Sequence, residues 1–293
     1  MQPNASGGTS KGERARPATV RLGGAVEVAR MGFGAMRVTG EGIWGQPRDK
    51  AEALRVLKTA VEKGVNFIDT ADSYGPNVSE EIIAEALAPY RKDLVIATKG
   101  GLVRPTAAHW DRSGHPDHLK QACEGSLRRL KVARIDLYQL HAIDPEVPFE
   151  DSVGALAELQ QEGKIRFIGL SNVSVRDLEK AQKIVKVVSV QNQYSVDNRS
   201  SEDVLRACTR AGIAFLPWYP LGSGRLVQSQ RLRDIAAKHH ATAAQVALAW
   251  LLDHSPVTLL IPGTSKVAHL EENLGARDVH LDAQDMESLE GRV

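Results

Sequence analysis

Two cysteines in 293 residues, Cys123 and Cys208, are too few for a disulfide framework, and a reducing, cytoplasmic setting is the simpler expectation. No run of about 18 apolar residues occurs, so no transmembrane helix is expected. An excess of either charge is also missing: 37 basic and 36 acidic residues leave a formal net charge of +1, well mixed along the chain. That balance argues against nucleic acid or an anionic membrane as the main partner. The first 16 residues hold Gly, Ser, Lys and Arg but no apolar h-region, so no secretory signal is expected there, and residues 1–17 read as a flexible tail. Phosphate and metal signatures are absent too. Gly32-x-Gly34-x-x-Arg37 and Gly222-x-Gly224-x-x-Val227 lack the third glycine of a dinucleotide fingerprint, and the run from Gly7 to Gly12 meets Glu13 where a P-loop needs Lys. Neither His115 with His118 nor His239 with His240 has a Cys or carboxylate set beside it, so no metal is expected.

What is present is a rhythm. Gly23-Gly24 between Ala18–Leu22 and Val26–Ala29 reads as a β-hairpin. Short Val-, Ile- and Leu-rich runs then recur near 31–36, 65–68, 94–98, 135–140, 165–170, 187–191, 213–217 and 257–261. Helical runs alternate with them near 49–63, 79–89, 117–130, 150–162, 174–184, 200–211 and 266–275, with further helices near 242–254 and 282–290. Gly64, Gly163 and Gly212 each sit at a helix stop before the next strand. Eight βα units with strands buried on both faces predict an α/β fold, a (β/α)8 TIM barrel with an N-terminal β-hairpin and extra C-terminal helices. No linker interrupts it, so residues 18–293 are expected to form one domain.

Polar residues gather where these strands end. Asp69 and Tyr74 lie in Phe67-Ile68-Asp69-Thr70-Ala71-Asp72-Ser73-Tyr74-Gly75, Lys99 follows Leu94–Thr98, and His141 follows Leu137–Leu140. Taken singly, Asp69 could be a turn former, Tyr74 a packing residue, Lys99 a surface lysine and His141 a structural histidine. Together they fall on the strand-end face where barrel sites are built. A phenol with a pKa of about 10 is a poor acid at neutral pH; an ammonium held by a carboxylate lowers it, and a neutral imidazole can orient a carbonyl oxygen. That set suits protonation of a forming alkoxide, and the hydride such a reduction needs must come from a nicotinamide cofactor.

These segments, with Thr98-Lys99-Gly100, Leu140-His141, Gly169-Leu170-Ser171-Asn172, Gln191-Asn192-Gln193-Tyr194, Pro220-Leu221-Gly222 and Ile261-Pro262-Gly263-Thr264-Ser265, resemble the aldo-keto reductase superfamily from about residue 18 to 290. The resemblance implies Tyr74 as general acid, Lys99 as the lysine that lowers its pKa, Asp69 as that lysine's partner and His141 as the carbonyl-orienting histidine. It implies a nicotinamide site of Gly34, Ala35, Met36, Ser171, Asn172 and Gln193, with Trp218 stacking on the ring. Pro220, Leu221, Gly222, Gly224 and Leu226 would cradle the pyrophosphate. Gly263, Thr264, Ser265, Lys266, His269, Glu272 and Asn273 would hold the adenosine end. His269 stands where many members carry the Arg that grips a 2′-phosphate; Lys266 could serve instead, so NADP(H) is favoured and NAD(H) stays open.

Trp44, His109 and Trp110 are the candidates for the substrate pocket, with loop packing the competing role for each. Short loops after Trp218 and at the C-terminus imply an open pocket for a small-molecule aldehyde. The run from Gly42 to Asp49 and the ending from Leu260 to Leu270 resemble bacterial members that reduce pyridoxal to pyridoxine. Broad-specificity aldehyde detoxification and a cofactor-sensing regulatory subunit with little turnover are the alternatives.

Overall fold

The computed structural model describes residues 16–224 and 226–291. Most of the expected tail, through residue 15, and Arg225 within the expected pyrophosphate loop lie outside the described residues. Arg16 is tied down: its Nε and Nη2 donate to Asp253 at 2.6 and 2.5 Å, and Nη2 also donates to the Val279 carbonyl at 2.8 Å.

Strands β1 (Thr19–Leu22) and β2 (Val26–Ala29) form the antiparallel hairpin, turning through Gly23 and Gly24 at φ +58° and +78°. Strand β3 (Phe33–Gly34) follows, then helix α1 (Lys50–Glu62), whose first turn is capped by the Asp49 carboxylate accepting from the Glu52 amide. Next come β4 (Phe67–Asp69), α2 (Val78–Leu87) and β5 (Val95–Gly100). A small antiparallel hairpin of β6 (Leu102–Val103) and β7 (Asp111–Arg112) precedes α3 (Pro116–Leu130). The chain continues through β8 (Ile135–Leu140), α4 (Phe149–Gln161), β9 (Ile165–Ser171), α5 (Val175–Gln182), β10 (Val187–Gln193), α6 (Glu202–Ala211) and β11 (Ala214–Trp218). Helices α7 (Gln230–Lys238), α8 (Ala243–His254), α9 (Val267–Leu274) and α10 (Ala283–Glu290) complete it.

Strands β3, β4, β5, β8, β9, β10 and β11 pair in parallel in chain order. The sheet curls shut through the stretch 257–261, which bridges Thr258 to Phe215 and Leu260 to Met31. The eighth strand is therefore reduced to bridges, and the first expected strand, 31–36, shortens to Phe33–Gly34 before a 3₁₀ turn at Ala35–Val38. Two features explain the abbreviation. Pro256 and Pro262 flank the closing stretch and offer no N–H. At the seam a Cβ on Gly34 would sit 2.5 Å from the Ile261 carbonyl oxygen, and one on Gly263 would sit 2.4 Å from that of Gly34. Only glycines let the two backbones approach so closely.

Alternation along the strands sorts the core into two compartments. Outward residues such as Ile68, Ile96, Tyr138, Ile168 and Val190 pack under the helices. Inward residues Phe67, Val95, Ala97, Leu137, Ala214, Leu216 and Leu259 fill the barrel, and Val20, Leu22 and Val28 of the β1–β2 hairpin join this inner cluster. The hairpin thus stoppers the amino-terminal mouth of the barrel. One layer further along, the inward positions turn polar: Asp69, Lys99, Gln139 and Gln191, all buried.

Helix α7 and the β6–β7 hairpin were not among the expected elements. Helix α7 is short and offers only Leu232, Ile235 and Ala236 as buried residues, and two-residue strands carry no readable period.

Candidate active site

Asp69 closes β4 pointing into the barrel, and Lys99 reaches it from the neighbouring β5. The Lys99 ammonium donates to Asp69 Oδ2 at 2.6 Å and to the Thr70 carbonyl at 2.8 Å, and stands 3.5 Å from the Tyr74 hydroxyl. Asp69 Oδ1 accepts from the Gln139 and Gln191 side-chain amides, both at 3.0 Å. The carboxylate is thus engaged on both oxygens, which fixes the lysine from below. Lys99 is 0% exposed and Asp69 2%, so this ion pair is fully desolvated. Burial disfavours the ammonium, but Asp69 and then Tyr74 outweigh it and raise the Lys99 pKa. The lysine stays charged.

Tyr74 arrives from the turn after β4, and its ring meets His141 edge-on with centroids 5.7 Å apart. Burial pushes its phenol above the ordinary value and Lys99 pulls it back, with a net upward shift. The expected lowering by lysine is therefore present as a counterforce and does not win. Tyr74 rests fully protonated, as a proton donor must. Burial, and secondarily Lys99, holds the His141 imidazole well below 6.5 and hence neutral near pH 7. Ser73 Oγ lies 3.3 Å from His141 Nδ1. With the serine hydroxyl donating to Nδ1, the ring proton sits on Nε2, free to donate to a carbonyl oxygen.

Tyr74 and His141 line a cavity of about 490 Å³. Ser171, Asn172 and Trp218 form part of its wall and are linked to one another. The Trp218 indole N–H donates to Asn172 Oδ1 at 3.1 Å, Asn172 Nδ2 donates to Ser171 Oγ at 3.1 Å and to the His141 carbonyl at 3.0 Å, and Ser171 Oγ donates to the Gln191 carbonyl at 2.8 Å. Gly34, Met36, Pro220, Leu221, Gly224 and Gly263 also line it. A flat indole, a set of amide and hydroxyl groups and glycine-lined backbone fit a nicotinamide dinucleotide. Arg37 adds an exposed guanidinium on the same cavity, chemically suited to a phosphate.

Other expected site residues fall elsewhere. Gln193 does not reach the cavity wall; Gln191, two residues earlier on the same inward face, does. Ala35 is buried in the core beside β3, and Leu226 packs under Gly222, where a Cβ would meet Leu226 Cγ at 3.2 Å. Thr264 is buried, with Oγ1 accepting from the Lys266 amide at 3.2 Å. Ser265, Lys266, His269, Glu272 and Asn273 run along the start and body of α9, off the cavity. His109 is exposed in the loop between β6 and β7, where a turn ties its amide to the Thr106 carbonyl at 3.3 Å and its ring to Thr106 Oγ1 at 2.8 Å, and it does not line the cavity. Trp110 does line the cavity; Trp44 stands behind it, 36% exposed. Arg37, Ile43, Leu102, Tyr219, Ile261, Pro262 and Gln191 line the cavity without having been expected there. Gln191 alone had a signal: it shares the inward parity of the strand that faces Asp69.

Residues 30–292 match the aldo/keto reductase family, and the chain belongs to it as an NAD(P)-dependent oxidoreductase. Among its relatives, an uncharacterized oxidoreductase of Schizosaccharomyces pombe is 52% identical over 267 residues, which is 91% of this chain and 87% of that protein. Pyridoxine 4-dehydrogenase of Escherichia coli is 44% identical over 274 residues, 92% of this chain and 96% of that protein. An aldo/keto reductase from Klebsiella pneumoniae, solved in complex with NADP and acetate, superposes with a TM-score of 0.79 at 27% identity, covering 93% of this chain and 94% of that one. Among the described residues, no helix is long and apolar enough to cross a membrane.

Proposed function

We propose that this protein reduces an aldehyde to an alcohol with NADPH, Tyr74 protonating the substrate oxygen, and that pyridoxal is the candidate substrate. The observation that carries the reading is the buried Lys99 ammonium set between the Asp69 carboxylate at 2.6 Å and the Tyr74 hydroxyl at 3.5 Å, two groups that line one cavity. Bound NADPH would supply the hydride. Ser171, Asn172 and Gln191 would hold its carboxamide, Trp218 would stack on its ring, and Arg37, Pro220, Leu221 and Gly224 would face its phosphates. Lys266, at the amino-terminal cap of α9, would take the 2′-phosphate, aided by the positive end of the helix. His141 Nε2 orients the carbonyl oxygen toward the Tyr74 hydroxyl. As negative charge grows on that oxygen, Tyr74 gives up its proton and Lys99 stabilises the phenolate left behind. The likeness to the E. coli pyridoxine dehydrogenase supports the choice of pyridoxal. Two free cysteines, both buried, support a cytoplasmic setting.

The test is steady-state NADPH consumption with pyridoxal beside a simple aromatic aldehyde. Much higher kcat/KM for pyridoxal supports the vitamin role; equal, poor rates would replace it with broad aldehyde detoxification. Tight NADPH binding with no turnover on either would overturn the reductase reading in favour of a cofactor sensor. Tyr74→Phe should keep NADPH binding and lose about 10²- to 10⁴-fold in kcat. Wild-type kcat in that variant rejects Tyr74 as the acid.

A further inference from the structure

We propose that Arg104, which does not line the cavity, is a positioning residue that sets substrate selectivity by holding Trp110 and Ile43 as the walls for a flat aromatic aldehyde. This rests on the aldehyde reductase reading above. Arg104 follows β6 and is 7% exposed. Its guanidinium carbon lies 3.7 Å from the centroid of the Trp110 ring and 5.4 Å from that of Trp44, a cation held by two indoles. Nη1 donates to the Ile43 carbonyl at 3.0 Å, and Nη2 donates to the Gly42 carbonyl at 3.2 Å and to the Ala107 carbonyl at 2.5 Å. One side chain therefore ties the loop after β3 to the β6–β7 hairpin. Its Nε is buried without a partner, so its place is dictated by the rings and carbonyls it serves and not by its own saturation.

What Arg104 holds is what the substrate would meet. Ile43 is a β-branched residue at φ +60°, a conformation such residues avoid. Its carbonyl is pinned by Arg104 and by the Gly75 amide at 3.2 Å, and its side chain lines the cavity. Trp110 lines the cavity as well, and its ring stands edge-on to Tyr74 with centroids 6.4 Å apart. An indole fixed beside the proton donor offers a π-face to an aromatic ring and little to a short alkyl chain. Lysine cannot replace this arginine: a point charge has neither the planar face nor the fork that reaches three carbonyls.

The experiment compares wild type with Arg104→Lys, using benzaldehyde and propanal as probes. Binding of benzaldehyde to the NADP-loaded protein, read by quenching of tryptophan emission, needs no turnover and should weaken about tenfold. In turnover, KM for benzaldehyde should rise about tenfold with kcat nearly unchanged, while KM for propanal and the NADPH Kd stay within about twofold. Equal losses for both aldehydes, or no change in either, would overturn the proposal. Trp110→Leu keeps the question open to refutation even if Arg104→Lys does not fold: it must reproduce the selective loss of benzaldehyde. The double variant must lose less than the sum of the two single losses, because Arg104 acts largely through that ring; fully additive losses would count against it. A wild type that binds benzaldehyde but turns over neither aldehyde refutes the reductase function and leaves the Arg104 result readable from the binding data.

Discussion

Replacing Lys99 with methionine keeps most of the stem's volume inside the barrel and deletes the ammonium. Asp69, 2% exposed, would keep only the Gln139 and Gln191 amides on one oxygen and lose the 2.6 Å partner on the other. An uncompensated buried charge of this kind costs about 3–5 kcal/mol. At roughly 2 cal/mol/K of unfolding entropy per residue, a loss of about 4 kcal/mol over 293 residues lowers Tm by about 7 °C. Asp69→Asn in the same chain removes the stranded charge, and its amide oxygen can still accept from both glutamines. The double variant Asp69→Asn/Lys99→Met should therefore recover to within about 1 kcal/mol of wild type while remaining inactive. Urea and thermal unfolding of wild type, both single variants and the double variant give the coupling directly. If the double variant loses as much as the two single variants added together, the ion pair carries no coupling and the two groups are not a desolvated, mutually dependent pair.

Two further predictions concern pH. His141 has a folded pKa well below 6.5, so its contribution to stability is present above about pH 6.5 and lost as pH falls below it. One pH unit below, the loss is about 1.4 kcal/mol, and His141→Gln should remove that much of the acid-side decline in urea unfolding; an unchanged profile would contradict a neutral, buried imidazole. Asp72 has the opposite sign: burial, then Glu80, raises its carboxyl from 3.8 to about 8, and its Oδ1 is buried without a partner. Its contribution is fully present below about pH 3.8 and lost as pH rises through 8, so Asp72→Asn should stabilise the protein increasingly between pH 5 and 8. A benefit that shrinks as pH rises would be incompatible with a protonated Asp72.

The barrel was legible because its strands are apolar on both faces and end in polar residues, a pattern that runs from Phe67-Ile68-Asp69 to Leu140-His141. The meeting of Asp69, Tyr74, Lys99 and His141 follows from parallel neighbours, since residues at equivalent strand ends must come together. What the sequence hid depends on distances that cross the chain. Gln191 and Gln193 have the same parity, and only the height of the polar layer in the barrel separates them. His109 and Trp110 are adjacent, and the path of the loop between β6 and β7, with its turn from Thr106 to His109, separates the one on the cavity from the one off it. The upward shift of Tyr74 reflects burial that no spacing of residues encodes. Arg104 lies six residues before Trp110 and sixty after Trp44, and only the fold brings both rings against it.

The β1–β2 hairpin carries a consequence for the order in which the chain can fold during synthesis. It is made within the first thirty residues or so, yet the inner cluster it joins includes Phe67, Val95, Leu137, Val188, Ala214, Leu216 and Leu259. The last of these leaves the ribosome some 230 residues after the hairpin itself, since Ala29 and Leu259 are separated by 230 positions. At about 5–20 residues per second, Val20, Leu22 and Val28 wait roughly 10 to 50 s before their full docking surface exists. Ring closure through Met31 and Leu260 is equally late. The hairpin, made before every βα unit, is thus among the last elements to be buried, and until then its apolar side chains stay exposed to solvent.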